Sequence, residues 1–518
     1  MSDQQRLLLA SVLMALVLVL GWNLTARRSA PQAPSPVQPV ESPADSMETP
    51  APPVVSDTAA PAAFDSLKQT ARSIAVLVRS EDCRDLVRAS VTTLGGAVES
   101  WTLPEYRSLL GGSGTLDLVA APWFVTTGAD GSPVTFGCEA PDTLVIAGVP
   151  DSLVLVDASG ARKVFTFEPD SYTFIVNTGG GPVELESGSL PQTEEAPDLR
   201  RYFSAAWYAE KYRNSRTGSL DGREPLGRVL WAAARSRYFA VILMSADGER
   251  DDGFAWAGSE AQSPGVGLEA GSARVYAGPV DYRRLRALGS GTDNLVDLGW
   301  PLIRWIGRLI YLFLSSVLSF IGNWGLRIVV LSVCMKALLW PLSWHSARSM
   351  RKMQALQPKM QELQKKYPND PLRQRQELQK IYREHGVNPL GGCLPLLLQM
   401  PVFFALYRVL ESSVDLRGAG FVLWIKDLSR PEILIPFGTT VLGMPGIGLL
   451  AVLMGASMYF QQKMTMSDPS QRAMAVMMPV LMTWLFMRFP AGLTIYWFVN
   501  SALSLVEQRI VRRDRGEG

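Results

Sequence analysis

Lys336 stands inside an apolar run from Asn323 to Ser343, thirteen residues from one end and seven from the other. On a helix that places it about 20 Å from one end and about 10 Å from the other. Holding an ammonium at such a depth in hydrocarbon costs about 2.5–3.5 kcal/mol. Two readings meet that cost. The side chain can snorkel toward the nearer surface and serve packing, or it can face a water-filled cavity, as intramembrane charges commonly do. Ser332, one turn away on the same helix face, is in keeping with the cavity. The chemistry on offer is electrostatic, because a fixed cation attracts carboxylates. No Asp or Glu falls at this depth in the other apolar runs, so Lys336 is expected to lack an internal counter-ion and to take its partner from another molecule.

Further polar groups interrupt the apolar segments: Gln399 in one, and Thr494, Tyr496 and Asn500 in another. Each alone reads as a hydrogen bond between packed helices. Together with Lys336 and Ser332 they could line one hydrophilic groove. A neighbouring segment is rich in methionine, with Met474, Met477, Met478, Met482 and Met487. These are either lipid-facing filler or an adaptable surface along which varied apolar segments slide. Other chemistry is poorly supported. The two histidines, His345 and His385, are too few for a triad or a multi-His metal site. The four cysteines show no C-x-x-C spacing, and phosphate-binding loops, nucleophile elbows and zinc-protease motifs are missing. The reading is of a non-enzyme without cofactor or metal. A net charge of +2 does not suit a nucleic-acid binder.

The elements that must position these residues are mostly helical. Six candidate crossings follow from hydropathy: Leu7–Leu24, Asn323–Ser343, Leu390–Leu410, Gly446–Tyr459, Ala473–Met487 and Leu493–Val506. The first, within residues 1–28, lacks a cleavage signal and reads as an anchor. Residues 29–64 are rich in Pro and Ala and form a tether too poor in core residues to fold. Residues 65–296 carry short β-branched runs between turn residues, among them 73–80, 142–149, 151–159, 162–168 and 172–177, which indicates an all-β sandwich. Cys83 and Cys138 lie in it, either paired or as separate thiols. Residues 297–322, with Arg304, Arg308, Trp300 and Trp305, read as an amphipathic helix lying in the membrane interface.

Residues 323–511 hold the other five crossings, and 344–386 form a polar helical hairpin between the second and third. Met350, Met353, Leu356, Met360 and Leu363 give its first helix an apolar face, and Asp370 followed by Pro371 caps the second. Ten basic residues against four acidic ones make the hairpin +6. The short tail, 512–518, is also basic. The positive-inside rule puts hairpin, tail and both termini in the cytoplasm and the β domain outside. The fold class is a polytopic α-helical membrane protein of six transmembrane helices, five of them a core, with a large all-β extracytoplasmic domain.

Four segments, NWGLRIVVLSVCMKALLWPL (323–342), LQPKMQELQKKYPNDPLRQRQE (356–377), VNPLGGCLPLLLQMPVFFALYRVL (387–410) and FPAGLTIYWFVNS (489–501), resemble the YidC/Oxa/Alb family of insertases in register and order. The β domain, with Gly95-Gly96 and its exit VDLGW (296–300), resembles the long form, whose domain is a periplasmic β-supersandwich. The resemblance implies a five-helix core around a hydrophilic groove open to cytoplasm and lipid. It implies insertion and folding of inner-membrane proteins, alone or beside the Sec translocon. Nascent membrane proteins, Sec components and the lipid bilayer are the implied partners, with the ribosome and the signal recognition particle receptor further ones. The short basic tail gives no support for ribosome binding through a long C-terminal extension. The family's groove cation is usually Arg, and Lys336 stands at that position.

Two other classes compete. A secondary transporter would need internal repeats or broken midplane helices, and no repeat is evident. A receptor would depend on its β domain, so deletion of residues 65–290 separates it from an insertase.

Overall fold

The computed structural model describes residues 71–108, 114–192, 202–220, 222–258, 263–367, 370–386, 394–441, 444–465 and 472–513. The anchor and tether expected over 1–64, the Asn388–Gly392 turn and the last residues of the tail lie outside them.

The β domain is built from alternation. In Ser73–Arg79, Ile74, Val76 and Val78 point inward and their neighbours outward. A five-stranded sheet runs Thr115–Asp117, Ala97–Arg107, Asp85–Thr92, Ser73–Arg79, Thr143–Ile146, its last pairing parallel. A nine-stranded sheet runs Tyr212–Arg216, Ser204–Tyr208, Trp231–Arg235, Phe239–Ser245, Ser272–Pro279, Thr173–Asn177, Arg162–Phe167, Asp151–Asp157, Phe136–Gly137. A four-stranded sheet runs Val183–Ser189, Pro264–Ala270, Asp251–Ala257, Arg223–Val229. The nine-stranded sheet has strands buried on both faces, WAAAR and FAVILM, which requires cover on each side. The four-stranded sheet packs over Trp231–Arg235. The five-stranded sheet joins through Trp101, whose Nε1 donates to Ala277 O at 2.8 Å and whose ring centroid is 4.8 Å from that of Phe174. Cys83 is exposed and Cys138 buried, and both are free thiols.

A short helix, α1 (Tyr282–Leu288), leaves the domain with Asp281 Oδ1 capping its first N–H groups. Next, α2 (Pro301–Leu312) ends in a π-helical turn, Phe313–Val317. Its arginines turn back toward the β domain: Arg308 bonds Asp293 at 3.1 Å and Arg304 bonds Asn294 at 3.1 Å. Leu302, Trp305, Leu309 and Leu312 leave an exposed apolar face on the other side.

α3 (Trp324–Ala355) is continuous from the bundle into the hairpin, with Pro341 inside it. α4 (Gln357–Lys366) and α5 (Pro371–Glu384) complete the hairpin. Asp370 accepts from Arg373 N at 3.0 Å and Pro371 opens α5, as the sequence pattern requires. α6 (Leu394–Ser412) follows, then a β-hairpin of Ile435–Val441 with Met444–Ile447 that hydropathy gave no sign of. α7 (Leu449–Thr465), α8 (Arg472–Phe486) and α9 (Ala491–Arg513) close the bundle. α9 packs on α7, α3 and α6, and α7 packs on α8. By length and composition, Trp324–Pro341 is the one stretch among the described residues that is long and apolar enough to cross a membrane. α7 and α8 have 17 and 15 residues, shorter than the roughly 20 of a perpendicular crossing.

Candidate functional site

Lys336 lies on α3 where that helix meets α9. Its Nζ is 2.7 Å from Glu507 Oε2 and 2.8 Å from Ser504 Oγ. The two ionic side chains are 11% and 5% exposed, so the ammonium points into the bundle and not at lipid. This corrects the expectation that Lys336 has no internal counter-ion. The apolar window of the last crossing ended at Val506, one residue short of Glu507. The helix runs on through that boundary to Arg513 and brings the carboxylate to Lys336. Two charges taken from water require each other. Ser504 Oγ in turn donates to Asn500 O at 2.8 Å.

The signal that could have revealed Glu507 is helical spacing. Tyr496, Asn500, Ser504 and Glu507 recur at intervals of four, four and three, which lays them along one face of α9. The stripe is about 16 Å long. Gln399 of α6 meets its upper end, Nε2 donating to Tyr496 OH at 3.1 Å. Lys336 meets its lower end. The structure thus brings Gln399 and Lys336 to opposite ends of one polar stripe.

Two residues of the expected groove satisfy their own helices. Ser332 Oγ donates to Ile328 O at 2.7 Å, and Thr494 Oγ1 to Pro490 O at 3.3 Å. Both are buried. On α8, Met477 and Met478 are exposed, alongside Val476 and Val480, while Met482 packs partly against the core. The side chain of Met474 lies outside the described residues.

A second polar cluster, unread in the sequence, ties the β domain to the bundle. Glu411 of α6 is buried, and its Oε1 accepts from Tyr202 OH at 2.6 Å and Tyr407 OH at 2.9 Å. Arg237 Nε donates to Glu411 O at 3.0 Å, and Arg408 reaches Asp297 at 3.2 Å. At the N-terminal end of α3, Arg327 donates to the carbonyls of Leu314, Ser319 and Ile321, closing off the end of the preceding helix. Among the described residues no cluster of His, Cys, Asp and Glu is suited to a metal.

Two family models divide the chain between them: the YidC periplasmic domain over residues 84–313 and the 60Kd inner membrane protein over residues 316–517. A helical bundle behind a large β-rich domain therefore defines an inner-membrane protein with a periplasmic domain. The membrane protein insertase YidC of Pelobacter propionicus is 33% identical over 98% of this chain and 99% of its own length. That of Syntrophus aciditrophicus is 30% identical over 83% and 84%, and that of Syntrophobacter fumaroxidans 43% identical over 46% and 43%. A solved YidC insertase with its first transmembrane domain resolved aligns to 85% of this chain and 94% of its own, at 20% identity and a TM-score of 0.39. The chain belongs to the YidC family of membrane protein insertases.

Proposed function

We propose that this protein inserts and helps fold inner-membrane proteins, both without the Sec translocon and beside it. Six helices cross the membrane: α3, α6, α7, α8, α9 and the N-terminal segment Leu7–Leu24. α2 lies in the periplasmic interface on its exposed apolar face. Both termini and the +6 hairpin are cytoplasmic. Lys336, Gln399, Tyr496 and Asn500 line a hydrophilic groove, with Ser332 and Thr494 in its wall.

The observation that carries this reading is an ionised side chain inside an apolar bundle, on a polar stripe that continues toward Gln399. A substrate's polar tail meets about 30 Å of hydrocarbon, which a wet groove shortens. Lys336 attracts acidic residues of the tail, and the membrane potential contributes about 2.3 kcal/mol per charge per 100 mV. The apolar part of the substrate leaves along α6 and the methionine face of α8, where Met477, Met478 and Met482 conform to it, with Met474 further along. The hairpin receives nascent chains. Sec components, the ribosome and the signal recognition particle receptor are partners on this reading.

The test is insertion of an acidic-tailed reporter, scored by protease protection. Lys336→Arg should insert at near wild-type levels, whereas Lys336→Ala and Lys336→Glu should fall at least fivefold. Equal insertion by all three removes Lys336 from the route.

A further inference from the structure

The proposed function makes Lys336 the cation that an acidic substrate segment meets, and the role of its partner Glu507 rests on that reading. Lys336 is not a bare cation. An ammonium has three protons to donate, and Glu507 Oε2 at 2.7 Å and Ser504 Oγ at 2.8 Å take two of them. The third remains for a new acceptor. The carboxylate is served less well. Glu507 Oε1 is buried and has no hydrogen-bond partner among the described residues. A buried carboxylate is stable only when both oxygens are satisfied, so Glu507 is the weaker half of the pair. It also lies six residues from the end of α9, about 9 Å from the helix terminus. A side-chain rotation suffices to carry it toward water.

We propose that Glu507 is a displaceable counter-ion that competes with substrate carboxylates for Lys336, and so sets how strongly the groove grips acidic segments. A substrate carboxylate first takes the third ammonium proton, then replaces Glu507 Oε2, and Glu507 turns toward the cytoplasmic end of α9. When the substrate moves on, Glu507 returns and the ammonium is paired again. An acidic tail is thereby exchanged and not trapped. A neutral tail carries no carboxylate to exchange and passes a pair that is already neutral overall.

The experiment uses the whole protein in membranes, with a photoreactive residue at position 399 and two stalled reporters that differ only in carrying an acidic or a neutral tail. The readout is the ratio of acidic to neutral crosslinking. Glu507→Gln, nearly isosteric, should raise that ratio at least threefold, and Glu507→Asp should fall between Gln and wild type. An unchanged ratio in Glu507→Gln overturns the inference. So does an equal loss of both reporters in the two variants, the mark of a merely structural pair. Lys336→Ala separates failure of the counter-ion from failure of the cation. If it loses the acidic preference while Glu507→Gln does not gain, only the role of Glu507 fails. If Lys336→Ala keeps the wild-type ratio, the groove cation itself fails, and the role of Glu507 with it.

Discussion

Removing one partner of a buried ion pair typically costs about 3–5 kcal/mol, because the other charge is left uncompensated. That asymmetry makes single side chains informative in this molecule. Lys163 is the instructive contrast to Lys336. It is buried in the β domain, where its Nζ donates to Phe124 O, to Thr126 Oγ1 at 2.9 Å and to Gly95 O at 3.5 Å, with no carboxylate among these partners. Burial lowers its pKa from 10.5 to about 7. Because the folded value lies below the unfolded one, the unfolded chain holds more protons between these limits. Stability therefore rises with pH from about 7 toward 10.5, by at most about 1.4 kcal/mol per unit. Denaturant midpoints followed by tryptophan fluorescence between pH 7 and about 9 should rise in the wild type, and the slope should flatten in Lys163→Met. At this scale Lys336 was readable because a charge inside an apolar run stands out. Glu507 was not, because it lies one residue past the apolar window Leu493–Val506, while the helix itself runs on to Arg513.

Close approach decides which helices can pair. A Cβ on Gly455 of α7 would collide with Thr483 Oγ1 on α8, and one on Gly325 of α3 would run into the ring of Phe421. Gly455→Val should therefore destabilise the bundle by about 1–3 kcal/mol through overpacking. Thermal unfolding in detergent should show the loss, and Thr483→Ala in the same chain should recover part of it. Elements with a local physical signature were readable. The β-branched runs at 73–80, 142–149, 151–159, 162–168 and 172–177 became strands, and the Asp370–Pro371 cap followed from turn chemistry. The hairpin of Ile435–Val441 and Met444–Ile447 was not, because its Pro and Gly residues break any alternation.

At the level of the whole molecule, the β domain is bound to the bundle through buried polar groups, with Glu411 at the centre. A hydrogen bond to a charged group contributes about 1.5–3 kcal/mol. Tyr202→Phe and Glu411→Gln should each loosen the junction, with a coupling in the double variant that shows they act through one bond. Hydrogen exchange of Ser204–Tyr208 and of the last turn of α6 should speed up together; exchange that changes on one side only would show that the contact does not join them. Sheet order was out of reach of sequence reading, because neighbours such as Ser73–Arg79 and Thr143–Ile146 are distant along the chain.

The unbroken course of α3 has a mechanical consequence. Its 32 residues make a rod about 48 Å long that carries Lys336 and emerges as the first arm of the polar hairpin. Pro341 removes one backbone hydrogen bond five residues beyond the ammonium, so bending concentrates there. A load on the hairpin can swing the arm about that fulcrum while the charged segment stays seated in its socket.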